Sequence, residues 1–212
     1  MDIFSYLLGK KIGGGGGGGS KLPPEFQEVE YIESTGTQYI NTTFLSDSNS
    51  SFEFKITYKT SRGIVFGAYN SYWDSGYGYY HNNGNGDNEF EHYFGNYNTG
   101  YKGLNNVTQK IVINKGNVYI DGNSIYTVPT KTFSMKQPTF IFGGNWAGQR
   151  VEQPLECKIY YFKIKNDSFT IMNLIPCYRK TDSEVGMYDI LNDTFYTNAG
   201  TGNFIKGPDV TA

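Results

Sequence analysis

Residues 157–177 read Cys157-Lys-Ile-Tyr-Tyr-Phe-Lys-Ile-Lys165, Asn166-Asp167, Ser168-Phe-Thr-Ile-Met-Asn-Leu-Ile-Pro-Cys177. Two runs rich in β-branched and aromatic residues about an Asn-Asp pair predict a β-hairpin turning at Asn166-Asp167, with Lys165 facing Ser168. That pairing brings Cys157 and Cys177 toward the far end of one hairpin. A disulfide there stays open for an oxidising compartment, but the demanding geometry of bridges between neighbouring strands makes free thiols the expectation. The polar run 178–184 then breaks the pattern. After it, Val185-Gly-Met-Tyr-Asp-Ile-Leu191 and the stretch 193–204 read as the closing strands of a β-sandwich. None of this ending resembles a catalytic motif.

The same grammar extends upstream. Ser51-Phe-Glu-Phe-Lys-Ile-Thr-Tyr58 alternates cleanly and predicts a half-buried antiparallel strand with Phe52, Phe54, Ile56 and Tyr58 on one face. Two short strands joined at Ser34-Thr-Gly36 are expected within 28–41, and further strands at 63–69, 76–81 and 89–97. Lys110-Ile-Val-Ile-Asn114 and Asn117-Val-Tyr-Ile-Asp121 predict a hairpin, followed by a turn into Ile125-Tyr-Thr-Val128. A strand over 139–143 leads into the loop Gly144-Asn-Trp-Ala-Gly-Gln-Arg150. About a dozen short strands at regular spacing argue for an all-β, antiparallel two-sheet sandwich.

A chain of 212 residues accommodates one large all-β domain, and 19 Tyr, 15 Phe and 27 Gly favour strands and turns over helices. With a net charge of −2, no basic field suggests nucleic acid or an anionic membrane. Carbohydrate needs aromatic platforms and polar side chains more than charge, so it stays open as a partner. The first residues lack the pattern of a secretory signal, and no run reaches membrane-spanning length. Synthesis in a cytoplasm is therefore expected. Residues 1–12 carry Ile3, Phe4, Leu7 and Leu8 near helical spacing, too short to be stable without a docking partner. A glycine-rich linker follows over 13–21, with a random-coil reach of roughly 15 Å. The division expected is thus a short apolar anchor (1–12), a flexible linker (13–21) and a β-sandwich (22–212).

In order along the chain stand an early strand pair, a strand–Asp-Gly–strand unit, a Phe-Gly-Gly loop and the late Lys-Ile-Tyr-Tyr-Phe-Lys-Ile strand. This succession resembles the concanavalin A-like, laminin-G-like jelly-roll family. Tyr31-Ile-Glu-Ser-Thr-Gly-Thr-Gln-Tyr-Ile40, Ile175-Pro-Cys-Tyr-Arg-Lys180 and Phe195-Tyr-Thr-Asn-Ala-Gly-Thr-Gly202 are similar to such domains in phage and prophage structural proteins of Gram-positive gut bacteria. The apolar start followed by polyglycine also resembles the N-terminus of phage virion proteins. The resemblance implies two packed antiparallel sheets with first and last strands adjacent. It further implies a tail- or baseplate-associated virion module that attaches to host-surface carbohydrate. Residues 1–12 would meet other virion proteins, and homo-oligomerisation stays open.

Only two tryptophans are present, and both fall in stretches rich in Asn, Asp, Gly or Arg. A sugar's C–H face packs on an indole while neighbouring polar groups bond its hydroxyls. Tyr72, Trp73, Asp74, Asn145, Trp146 and Arg150 are accordingly the candidate carbohydrate-binding residues; the alternative is that each Trp plugs an end of the sandwich. Asp87, Glu89 and Glu91 share one strand face and offer a less favoured hydrolase pair, Glu89 with Glu91. The simpler expectation turns Phe90 and Phe94 inward and leaves the acids solvated. His81 and His92 lack a nucleophile elbow or a metal-ligand spacing, so structural or surface roles are expected. Asp47, Asp74 and Asp121 lack a calcium-loop pattern. No metal, cofactor or enzymatic activity is expected. A decoration domain contacting only other virion proteins is the remaining alternative.

Overall fold

A computed structural model describes residues 21–211 apart from 60–61, 72–74, 83–88, 96, 103–105, 130, 149 and 153; at 71, 82, 89, 97–102, 150 and 152 it describes the backbone alone. The expected anchor over 1–12 and the linker through residue 20 lie outside the described residues.

Among the described residues the chain forms strands and no helix. The opening strands are β1 (Phe26–Glu28), β2 (Ile32–Thr35), β3 (Ile40–Asn41), β4 (Ser50–Tyr58), β5 (Gly63–Ser71), β6 (Ser75–Asn82), β7 (Glu89–Gly95) and β8 (Tyr97–Lys102). The middle holds β9 (Thr108–Asn114), β10 (Asn117–Ile120), β11 (Asn123–Thr127), β12 (Phe140–Ile141), β13 (Gly144–Trp146) and β14 (Arg150–Glu152). The chain closes with β15 (Glu156–Asn166), β16 (Phe169–Arg179), β17 (Val185–Asp189), β18 (Thr194–Thr197) and β19 (Ile205–Lys206). Two sheets pack face to face in a sandwich of jelly-roll type. The first runs β11-β10-β9-β4-β15-β16-β17-β18 and also takes in β1, β2 and β19. The second runs β14-β13-β5-β6-β7-β8, with β3 and β12 attached. Among the described residues the strands pair antiparallel save β13 with β5, and an isolated bridge between Ile64 and Pro154 is parallel as well.

Side-chain alternation builds the core. Phe52, Phe54, Ile56 and Tyr58 of β4 are buried, as their spacing predicts. With Ile111, Ile113, Phe162 and Ile164 they face Phe66, Tyr77, Tyr79, Phe90 and Phe94 of the second sheet. Rings interlock across the interface, where Phe52 stacks on Phe66 at 4.1 Å and Phe54 meets Phe66 edge-on at 5.8 Å, and within the first sheet Phe54 stacks on Phe162 at 5.2 Å. Burying each such ring stabilises the fold by roughly 2–3 kcal/mol.

The deciding hairpin forms, with two differences from expectation. Asn166 pairs with Phe169 and Lys165 with Thr170, so the turn is Asp167-Ser168. Asp167 takes φ 51°, a left-handed conformation that Asp tolerates through local hydrogen bonding. Beyond Phe162↔Leu174 the hairpin splays. The N-terminal segment fills the gap, β1 pairing with β16 and β2 with β15. Cys157 therefore lies opposite Ser34, whereas Cys177 lies opposite Glu28. Cys157 belongs to the inter-sheet core and Cys177 to a separate cluster with Leu22, Phe26 and Tyr188. Both thiols are free and buried, and burial pushes the Cys177 thiol up to about 12.

On its other side the N-terminal segment receives the chain's end. Ile205 and Lys206 of β19 pair with Glu33 and Ile32, and Val210 N donates to Glu28 O at 2.9 Å. The last strand is thus paired with the second, and the tail beyond it bonds the end of the first. A further correction concerns 89–97, expected as one strand. The chain reverses after Gly95 (φ 71°), and Tyr97 pairs back on Phe94 as the start of β8.

Candidate functional site

The turn that carries the chain from one sheet to the other also builds one wall of a cleft. After β2, Gly36 takes φ 91°, and Gln38 Oε1 accepts from Thr35 N at 2.8 Å. The chain then enters β3, which pairs with β12 of the second sheet. Tyr39, immediately before β3, lies against Phe140 with ring centroids 4.8 Å apart and planes at 30°. With Asn41, the cross-strand neighbour of Phe140, and with Gln137, Pro138, Asn145, Gly148 and Val151 this pair lines a cleft of about 330 Å³. Aromatic rings and amide side chains lining one cleft suit a ligand with both apolar faces and hydroxyls.

Asn145 holds the cleft's far rim in shape. Its Nδ2 donates to Pro138 O at 2.9 Å, and its Oδ1 accepts from Gly148 N at 3.0 Å. Each amide group keeps one further hydrogen-bonding valence. Ala147 and Gly148 take φ 52° and 70°, turning β13 back into β14, where residue 150 pairs with Trp146. A Cβ at Gly148 would stand 2.6 Å from Gln137 Oε1, so glycine lets Gln137 reach over the turn.

Trp146 stands at the end of β13 rather than in a loop, on the solvent side of the second sheet. It stacks on Tyr69 at 5.2 Å with planes 25° apart. Tyr93 meets Tyr69 edge-on at 5.7 Å, and Ile64 and Tyr80 complete this outer cluster. Tyr69 lies flat because glycines form the floor beneath it. A Cβ at Gly67 would meet the ring at 2.9 Å, one at Gly78 would meet Tyr69 Oη at 2.6 Å, and one at Gly144 would meet the ring at 3.0 Å. Beside the cluster, Tyr93 donates to Glu91 Oε2 at 3.1 Å.

The predicted site residues therefore divide. Asn145 and Trp146 are neighbours on β13, one lining the cleft and the other crowning the outer aromatic cluster. Arg150 follows on the paired strand, with its backbone alone described, and Tyr72, Trp73 and Asp74 lie outside the described residues. Residue 87 also lies outside them, and Glu89 is described by its backbone alone. Phe90 and Phe94 point inward, while Glu91 is half-buried on the opposite face. His81 and His92 are both buried. His81 stacks on Phe90 at 4.3 Å, and burial lowers the His92 pKa to about 3. Asp47 accepts from Asn49 N and Ser50 Oγ and Asp121 from Lys110 N, so both carboxylates brace turns. Among the described residues, no group of three or more His, Cys, Asp or Glu side chains comes together as a metal site.

Sequence reasoning missed Tyr39, Asn41, Gln137 and Phe140, which meet only through the crossing between sheets. The outer cluster did leave a signal. In Gly76-Tyr-Gly78 the alternate positions carry no Cβ, which marks a face where another group approaches the backbone closely.

No protein-family model matches the chain, and no curated protein sequence does. Among solved structures it is similar to a candidate carbohydrate-binding protein from Bacteroides ovatus, with a TM-score of 0.52 and 11% identity over 87% of this chain. The chain spans 62% of that protein's length. The likeness extends to the fold.

Proposed function

We propose that the chain is a non-enzymatic carbohydrate-binding module of a phage virion, associated with the tail or baseplate, that attaches to host-surface glycan. The observation that carries the binding reading is the cleft, whose lining joins an aromatic wall of Tyr39 and Phe140 to the amides of Asn41, Gln137 and Asn145. A pyranose packs its C–H face on such a wall and bonds its hydroxyls to the amides. Trp146, one residue on from Asn145, extends the same edge with a second aromatic surface. The fold shared with a candidate carbohydrate-binding protein supports this reading. The virion role rests on the sequence resemblance and on the apolar, glycine-tethered N-terminus, through which residues 1–12 would join other virion proteins.

Single sites of this kind bind weakly, and many copies on a particle multiply the avidity. The test is a glycan array probed with the full chain clustered on beads, beside Tyr39→Ala and Trp146→Ala. Wild-type beads should bind a defined set of neutral glycans, with Tyr39→Ala weakening capture about tenfold or more, the loss of one aromatic contact of roughly 1.5 kcal/mol. Equal capture by wild type and both variants, or none by wild type, overturns the site.

A further inference from the structure

The outer face of the first sheet, opposite the cleft's sheet, has a chemistry of its own. Strands β9, β4 and β15 lie side by side at its centre. Together they carry five lysines (Lys55, Lys110, Lys158, Lys163 and Lys165) and two glutamates (Glu53 and Glu156). That is an excess of three positive charges on a chain whose net charge is −2. Alternation turns these side chains outward, because their neighbours Phe52, Phe54, Ile56, Ile111, Ile113, Cys157, Phe162 and Ile164 fill the core.

Internal pairing offsets only part of the excess: Glu33 of β2 adds a carboxylate beside Lys158, at 3.9 Å, and also pairs with Lys59. Glu53 alone receives Lys110 at 3.1 Å, Lys165 at 3.4 Å and Lys163 at 3.9 Å. Burial pushes the Glu53 carboxyl up, but the Lys110 hydrogen bond and the charges of Lys110, Lys163 and Lys165 together hold it below the usual value. Lys55 sits directly opposite Lys110, a like-charge cross-strand pair that costs stability. Lys158 donates to Tyr31 Oη at 3.1 Å and lies over its ring at 4.2 Å. Lys55 lies over Tyr160 and Lys163 over Tyr161, each at 5.1 Å. Tyrosine rings thus flank Lys55, Lys158 and Lys163, on a sheet whose strands lie about 4.8 Å apart with same-face residues roughly 7 Å apart along each strand.

We infer that this face of β9, β4 and β15 is a second binding surface, whose occupant is an anionic polysaccharide bearing carboxylate or phosphodiester groups along its chain. Charge complementarity supplies the attraction, and the interleaved tyrosine rings offer apolar surface to the sugars between charges. A regular array of point charges matches a polymer with a regular charge repeat better than it matches a single small anion. The surface is independent of the cleft, and the two can fail separately.

The experiment measures binding of the full chain to polygalacturonate, phosphomannan and uncharged dextran at low ionic strength. Polygalacturonate, phosphomannan or both should bind, identifying the carboxylate or phosphodiester form, while dextran should not bind this face. Added salt should weaken binding with a steep logarithmic slope. Lys55→Gln with Lys110→Gln, which keeps the aliphatic stems, should lower affinity about tenfold and flatten that slope by one to two, as expected for about two lost ionic contacts. Lys115→Gln with Lys206→Gln removes the same charge from elsewhere and should leave affinity unchanged. Equal losses in the two lysine pairs, no binding to either polyanion, or tighter binding of duplex DNA than of either overturns the inference.

Discussion

His92 is a basic side chain stored among rings, with both imidazole nitrogens buried and without hydrogen-bond partners among the described residues. Tyr77, Phe94 and Tyr126 surround it at centroid distances of 5.8, 6.1 and 6.1 Å. Burial lowers its pKa from 6.5 to about 3, so the folded chain holds it neutral. The unfolded chain takes up the proton first, so the folded state is at full advantage above about pH 6.5 and loses stability as pH falls toward 3. The slope from this one group approaches about 1.4 kcal/mol per pH unit. His92→Phe fits the same aromatic surroundings and removes the titration. Urea midpoints between about pH 7 and pH 5 should fall for wild type and fall distinctly less for the variant. Parallel curves would show that His92 does not titrate on unfolding.

The opening and closing motifs singled out in the sequence turn out to be two halves of one joint. Thr37 Oγ1 donates to Thr201 O at 3.0 Å, Tyr39 N donates to Asn198 Oδ1 at 3.2 Å, and Ala199 N donates to Tyr39 O at 2.9 Å. Gly200 is fitted between them, since a Cβ there would collide with Thr37 O and stand 3.1 Å from the Tyr39 ring. Gly200→Ala should destabilise the fold by about 1–3 kcal/mol, a loss of roughly 3–10 °C in Tm. Because Tyr39 walls the cleft, the same variant should weaken capture on the glycan array; a wild-type Tm would detach the joint from the fold. Strands such as β4 are legible in sequence because period-2 burial is a local property, written in Phe52, Phe54, Ile56 and Tyr58. The splaying of β15 from β16 is not legible, because it depends on a segment more than a hundred residues upstream that competes for the same backbone groups. The site divides in the same way. Trp146 draws notice as a rare aromatic among polar residues, whereas Tyr39 and Gln137 are ordinary until the crossing between sheets brings them together.

At the scale of the whole molecule, the two ends of the chain carry unequal structural duties. At the described N-terminus, Leu22 and Phe26 dock on the first sheet beside Cys177 and Tyr188, while the cleft lies at the margin of the second. The C-terminus, in contrast, is built into the fold. Phe204 is buried against Phe142 at 5.0 Å, and β19 covers the edge of β2. Deleting residues 1–20 should leave Tm within about 2 °C of wild type, since the described clusters close with Leu22 and the residues after it. On the function proposed above, sugar capture by artificially clustered protein should persist, while incorporation into virions should be lost. Deleting residues 204–212 removes a core ring, which alone costs about 3–5 kcal/mol, and uncovers the β2 edge to pairing with other chains. That variant should lose roughly 10 °C or more in Tm and aggregate on purification. Thermal unfolding of the two truncations side by side checks the asymmetry, and equal Tm losses would refute it.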